Sequence, residues 1–202
     1  MPNWCKNTLT ISGDSRKIEI LLEAAKKSNS DQREGRYDIG FLYPMPFPLD
    51  NVSDSPENTN WYDWRISHWG TKWSPTIQGE QFDHFLEEYK KGNYFETVTE
   101  SFGSAWSPPT GLIARIAELF PELSFQLSYY ETGMCFKVEV YFEKGEMTHQ
   151  EDSELTWQDQ IDMEITELSE VIEWGMASKE EIVAAGYATE KEVDEIIAEM
   201  GE

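Results

Sequence analysis

The sequence predicts an α+β fold, a sheet with helices on one face arranged as a split βαβ sandwich, and three stretches predict it. Leu9 and Ile11 alternate with Thr8, Thr10 and Ser12, and an amphipathic run from Ile18 to Ala25 follows, which is a half-buried strand leading into a helix. The order recurs at 94–120. Phe95, Val98 and Phe102 stand among Thr and Ser, and Leu112, Ile113, Ile116, Leu119 and Phe120 then fall at helical spacing. Finally, 123–131 and 134–142 alternate apolar and polar residues around Thr132-Gly133, the sequence form of a β-hairpin. Strand, helix, strands, helix, strand, strand is the order of a split βαβ unit with an insertion between its halves.

Each element has local support. Gly13-Asp14 closes the first strand, Asp14 or Ser15 can cap the first helix, and polar KKSNSDQREG ends it. In IGFLYPMPF the prolines Pro44 and Pro46, with Pro48 beyond, rule out an interior strand, and 49–60 reads as polar loop. Gln81 to Lys91 carries Phe82, Phe85, Leu86 and Tyr89 on one helical face. Trp106-Ser107-Pro108-Pro109 ends the second strand, with Ser107 as cap and Pro108 in the first turn of the next helix. The expected domain is 1–149, with an insertion at about 44–92.

Residues 150–202 differ in composition. They hold 17 acidic side chains against Lys179 and Lys191, a net −15 of the chain's −23. The segment is patterned all the same. Trp157, Ile161, Ile165, Leu168 and Ile172 form one apolar stripe, read as a single helix. Ser178 with Glu181 and Thr189 with Glu192 are capping boxes, and Gly186 and Gly201 suit the matching helix ends. The near-repeat GMASKEEIV and GYATEKEVD reads as two short helices sharing one cap chemistry.

Three sequences, MPNWCKNTLTISG, NWYDWRISHWGTKW and SAWSPPTGLIARIAELFPELSFQLSYYETG, resemble the YubB-type ferredoxin-like family of phage and plasmid proteins over roughly the first 145 residues. The resemblance implies a ferredoxin-like fold and a mobile-element source. It brings no reaction and no catalytic residues.

Composition narrows the function. The excess of 39 acidic over 16 basic residues opposes direct nucleic-acid binding. Two cysteines without CxxC spacing suit a reducing compartment. With no apolar run of membrane length and no signal-like start, a soluble protein of the host cytoplasm is expected. Cys5 with His68, His84 or His149 is the one arrangement that would suit a hydrolase, but no catalytic signature surrounds it, and a buried structural thiol is the simpler reading. No cofactor or metal is expected, and no enzyme.

Two binding readings remain. Acidic helices can imitate a nucleic-acid backbone, so Glu164, Glu167, Glu170, Glu173, Glu180 and Glu181 are expected to bind and inhibit a host protein with a basic surface. A nucleic-acid-binding defence complex, as targeted by anti-CRISPR or anti-restriction proteins, is the class in view. Alternatively, Trp64, Arg65, His68, Trp69, Lys72, Trp73, Trp106 and Ser107 form a small-ligand or nucleotide site, with Trp4 converging on it. The competing reading places those tryptophans in the core. The sequence leaves the oligomeric state open.

Overall fold

The computed structural model describes residues 3–26, 36–46 and 60–200. Most of the polar segments read at 26–35 and 49–60, together with Pro48 and Gly201, lies outside them. Two compact units divide the chain, Met1–Ser153 and Glu154–Glu202.

The first unit is an α+β ferredoxin-like fold. Its elements in order are β1 (Trp4–Ser12), α1 (Ser15–Ala25), β2 (Tyr37–Asp38), α2 (Trp61–Trp69), β3 (Thr76–Ile77), α3 (Glu80–Lys90), β4 (Thr97–Ala105), α4 (Thr110–Leu119), β5 (Ser124–Glu131), β6 (Phe136–Glu143) and β7 (Glu146–Glu154). A 3-10 turn, Ile39–Leu42, follows β2. The main sheet runs β4-β1-β5-β6-β7, and β2 pairs with β3 in a small sheet of its own. Both β4 and β5 lie antiparallel to β1. They are therefore parallel to each other and joined by α4, and β1 threads between them as the split βαβ motif requires.

Alternation along the strands separates two faces. Leu9, Ile11, Phe125, Leu127, Val138, Val140 and Phe142 are buried with Ile18, Leu21 and Leu22 of α1, Phe82 and Phe85 of α3, and Leu112, Ile113 and Ile116 of α4. The other face is polar, and its hydroxyls pair across β1 and β4: Thr8 with Ser101 at 3.1 Å, Thr10 with Thr99 at 2.9 Å and Ser12 with Thr97 at 3.2 Å. Asp14 is the cap of α1, accepting from the amides of Arg16 and Lys17.

The structure departs from the sequence reading at several points. Residues 146–154 form a strand, although none of the nine is buried and no apolar alternation announces it. What makes the hairpin is the turn: Lys144 and Gly145 both have positive φ, 53° and 83°, the conformation of a two-residue type I′ connection. The strand read at 94–105 begins only at Thr97. Helix α4 has Pro109 at its N-cap position without a side-chain cap, because the Ser107 hydroxyl donates instead to the carbonyl of Gly70.

The second unit consists of α5 (Trp157–Asp162), α6 (Leu168–Glu173), α7 (Lys179–Ala185) and α8 (Glu190–Met200). The stripe from Trp157 to Ile172 is thus two helices. Glu164 turns left-handed at φ 55°, the amides of Ile165 and Thr166 fold back to the Gln160 carbonyl, and a capping box of Glu167 and Glu170 starts α6. The boxes at Ser178 and Thr189 form as read, with Glu181 N 3.2 Å from Ser178 Oγ and Glu192 N 3.3 Å from Thr189 Oγ1. Val171, Ile182 and Val193 are its small core, flanked by Trp157, Ile161, Leu168 and Tyr187.

The Trp-rich segment and the SAWSPPTG segment meet backbone to backbone. Gly70 caps α2 with φ 86°, its amide bonded to the carbonyls of Arg65 and Ile66, and a Cβ there would lie 2.8 Å from Pro108 O. On α4, a Cβ on Gly111 would lie 2.6 Å from His68 O. Thr71, wholly buried, donates to Ala105 O at 2.9 Å. Replacing a helical glycine by alanine ordinarily stabilises by up to about 1 kcal/mol. Gly111→Ala should instead destabilise by about 1–3 kcal/mol, measured by urea unfolding, and a stabilised variant would show that α2 and α4 are not held at this separation.

Candidate functional site

At the end of β1 and β4 the chain leaves a cleft of about 570 Å³, lined by Trp4, Asp38, Arg65, Trp73, Ser74, Pro75, Thr76, Gly103, Ser104 and Ala105. That volume lies within the range of small-molecule sites. Strand register builds one wall: Trp4 pairs with Ala105 and Lys6 with Gly103, and the missing side chain at Gly103 lets the Trp4 ring lie close to β4, where even a Cβ would be 3.4 Å from it. Trp4 and Trp73 are half-exposed, with ring centroids 6.0 Å apart and planes inclined by 38°.

Arg65 supplies the positive charge. Its guanidinium carbon lies 5.3 Å from the Trp61 ring and 5.1 Å from the Trp69 ring, so two indoles fix the long side chain by cation–π contact. Its placement follows from helix α2, since residues three and four apart share a face. Asp38 supplies the negative charge, and it is oriented by the Gly40 amide at 2.9 Å and by the Ser74 hydroxyl.

The residues singled out in the sequence separate here. Arg65 and Trp73 line the cleft. Trp69 is buried, its indole N–H donating to Tyr43 O at 2.9 Å. Trp64 packs on it edge-on at 5.7 Å and stacks on His68 at 4.3 Å. Lys72 lies over the rings of Trp73, at 4.8 Å, and Tyr62, at 5.9 Å. Trp106 is half-exposed at φ 72°, its amide bonded to Asn3 O, while Ser107 belongs to the α2–α4 junction. Asp38, Ser74 and Gly103 were not legible as site residues, because only the tertiary fold brings them to this strand end.

The six carboxylates of the acidic unit also divide. Glu170 and Glu181 accept the backbone amides of Glu167 and Ser178 at 3.0 and 2.8 Å, and hydrogen bonding to Ser178 holds the Glu181 carboxyl below its ordinary value. Glu167 is the N-cap of α6. Glu164, Glu173 and Glu180 are exposed.

A match to one family model agrees with the fold. Residues 85–173 match the family model described as a ferredoxin-like domain in Api92-like protein. Among solved structures, the chain is similar to a crystal structure of a protein Api92 from Yersinia pseudotuberculosis. The two are 10% identical, with 76% of this chain and 98% of that one covered and a TM-score of 0.43. No curated protein matches. The family match begins in α3 and runs into the acidic unit, whereas the resemblance read from sequence spans the first 145 residues. No helix of the described residues is long and apolar enough to cross a membrane. Among them, no group of three or more His, Cys, Asp or Glu could hold a metal ion.

Cys5 is fully buried on β1, and burial, reinforced by the Glu131 carboxylate, pushes its thiol up to about 11. At pH 7 about one molecule in 10⁴ would carry that thiolate, against roughly one in 100 for a cysteine at the ordinary value of 9.0. Cys135 is exposed. An alkylating reagent near neutral pH should therefore modify Cys135 and leave Cys5 until the protein is unfolded, as read by mass spectrometry. Equal labelling of both thiols in the native protein would restore Cys5 as a nucleophile.

Proposed function

We propose that the protein is a non-enzymatic binding module whose cleft at the end of β1 and β4 takes a small planar ligand carrying an anionic group, with a mononucleotide as the simplest case. The observation that supports this most directly is Arg65, held between Trp61 and Trp69 at the wall of a cleft that also presents Trp4 and Trp73. Indole faces receive a planar ring, a guanidinium receives phosphate or carboxylate in its plane, and Asp38 accepts from a ring amine. Titration of nucleoside monophosphates should quench tryptophan fluorescence saturably. Trp73→Ala should weaken binding by roughly 5- to 150-fold, the range expected for one stacking contact. No quenching by any nucleotide of the panel, or unchanged affinity in Trp73→Ala, would remove the cleft from consideration.

A second reading is favoured by the separate core of the acidic unit. A unit that packs its own apolar residues keeps its carboxylates for a partner with a basic surface, and electrostatic attraction would make that association salt-sensitive. The mobile-element source implied by the resemblance, with a host defence complex as target, belongs to this reading. Glu164, Glu173 and Glu180 are the informative positions, since Glu167, Glu170 and Glu181 also serve helix caps. Reversing Glu164, Glu173 and Glu180 to lysine should abolish any low-salt capture of a host protein by the full chain. Capture that survives the reversal would exclude these carboxylates as the docking charge.

A further inference from the structure

The two edges of the main sheet are treated differently. On β7, Glu146, Glu151, Asp152 and Glu154 place four carboxylates in nine residues, the kind of charge that discourages a further strand from pairing. On β4 the same length, TVTESFGSA, carries one charged residue, and Glu100 turns its carboxylate to the Gln81 amide at the start of α3, 2.8 Å away. β4 also ends the sheet, since its strand neighbour in the main sheet is β1.

The ladder phase shows which groups point outward. Gly13 N donates to Glu96 O at 2.8 Å, and the register continues from Ser12 with Thr97 to Leu9 with Glu100. Hydrogen-bonded and non-bonded pairs alternate in an antiparallel ladder. Val98 and Glu100 therefore direct their amides and carbonyls at β1, while Thr97, Thr99 and Ser101 direct theirs away from it. All three are exposed. Five residues from Thr97 to Ser101 give about 17 Å of edge.

Beside this edge lies a cleft of about 400 Å³ between β4 and α3, lined by Gln81, His84, Phe85, Phe95, Thr97, Val98 and Thr99. Its surroundings are aromatic and acidic. Phe95 is 45% and Tyr94 67% exposed, and Tyr94 packs edge-on against Tyr89 at 5.3 Å. Glu80, Glu87 and Glu96 are exposed nearby in sequence, and Lys91 is already paired with Glu88 at 2.6 Å.

We propose that the β4 edge and the α3 cleft together bind a short extended peptide by strand addition, with one aromatic or branched apolar side chain in the cleft and basic residues flanking it. Main-chain bonds to Thr97, Thr99 and Ser101 would give the affinity, and the cleft and the acidic rim would select the side chains. This surface shares no residue with the cleft of Trp4, Arg65 and Trp73, so it stands or falls independently of the small-ligand reading.

The test uses the full chain and a fluorescein-labelled hexapeptide, Lys-Thr-Phe-Thr-Val-Lys, followed by polarisation, with a second peptide N-methylated at alternate amides. Thr99→Pro removes an outward N–H and the hydroxyl bond to Thr10 but leaves the main-chain bonds to β1 in place. Native protein should bind the first peptide, and both Thr99→Pro and N-methylation should weaken binding by at least about tenfold, the loss expected for one or more main-chain hydrogen bonds. Should Thr99→Pro fail to fold, amide shifts of Thr97, Thr99 and Ser101 on titrating native protein give the same information. No polarisation change up to about 1 mM peptide, or binding indifferent to N-methylation and without shifts at those amides, would overturn the proposal.

Discussion

The approach of α2 to α4 is the constraint on which the rest of the first unit depends. Helices ordinarily pack through side chains at 8–10 Å, but here a carbonyl of α2, that of His68, occupies the space where a side chain on Gly111 would begin. Gly70 and Ser107 then join the two loops, and the wholly buried Thr71 binds the end of β4. Because α4 lies across the sheet, fixing α2 against it also sets where the chain re-emerges as Trp73, and so where Trp73 meets Trp4. The two tryptophan-bearing motifs are therefore halves of one junction. The question of core or pocket has a divided answer: Trp64 and Trp69 are packed inward, while Trp73 is turned to the cleft.

How much was legible follows from what each signal measures. Strand alternation and helical spacing report burial, so β1, α1, α3, α4, β5 and β6 could be read wherever one face is buried. β7 could not, because all nine of its residues are exposed and its sequence, EMTHQEDSE, has no burial to record. The break between α5 and α6 was hidden for another reason. Glutamate has no special tolerance for the left-handed conformation, and the apolar spacing of Trp157, Ile161, Leu168 and Ile172 is compatible with either one helix or two that pack on a common core. Capping boxes were readable because the whole interaction spans four residues.

The candidate cleft shows the limit most plainly. Its aromatic and cationic members could be suspected from NWYDWRISHWGTKW, yet their partners come from strand ends and a loop far away in sequence. Trp4 reaches the site only through its register with Ala105, and Asp38 only through the small β2–β3 sheet that pairs Asp38 with Thr76. The backbone bend after β4 is equally nonlocal. Trp106 holds a left-handed φ of 72°, a costly conformation for an aromatic residue, and it does so while the Ser104 hydroxyl donates to the Ser107 carbonyl and the Ser107 hydroxyl to that of Gly70.

Acid acts on the acidic unit at two levels, through its helix caps and through its net charge. Glu181 and Glu192 are held below the ordinary value of 4.5 by the backbone amides of Ser178 and Thr189. A depressed value means that their contribution to stability persists above the unfolded value and is lost only as pH falls through the lower, folded one. The sequence places the isoelectric point near 4.3, where the net charge of −23 has fallen to zero. Colloidal repulsion is therefore lost as the pH approaches that value. Acidification toward it should lower the protein's solubility, and raising the pH should restore the repulsion that keeps the acidic surface dispersed.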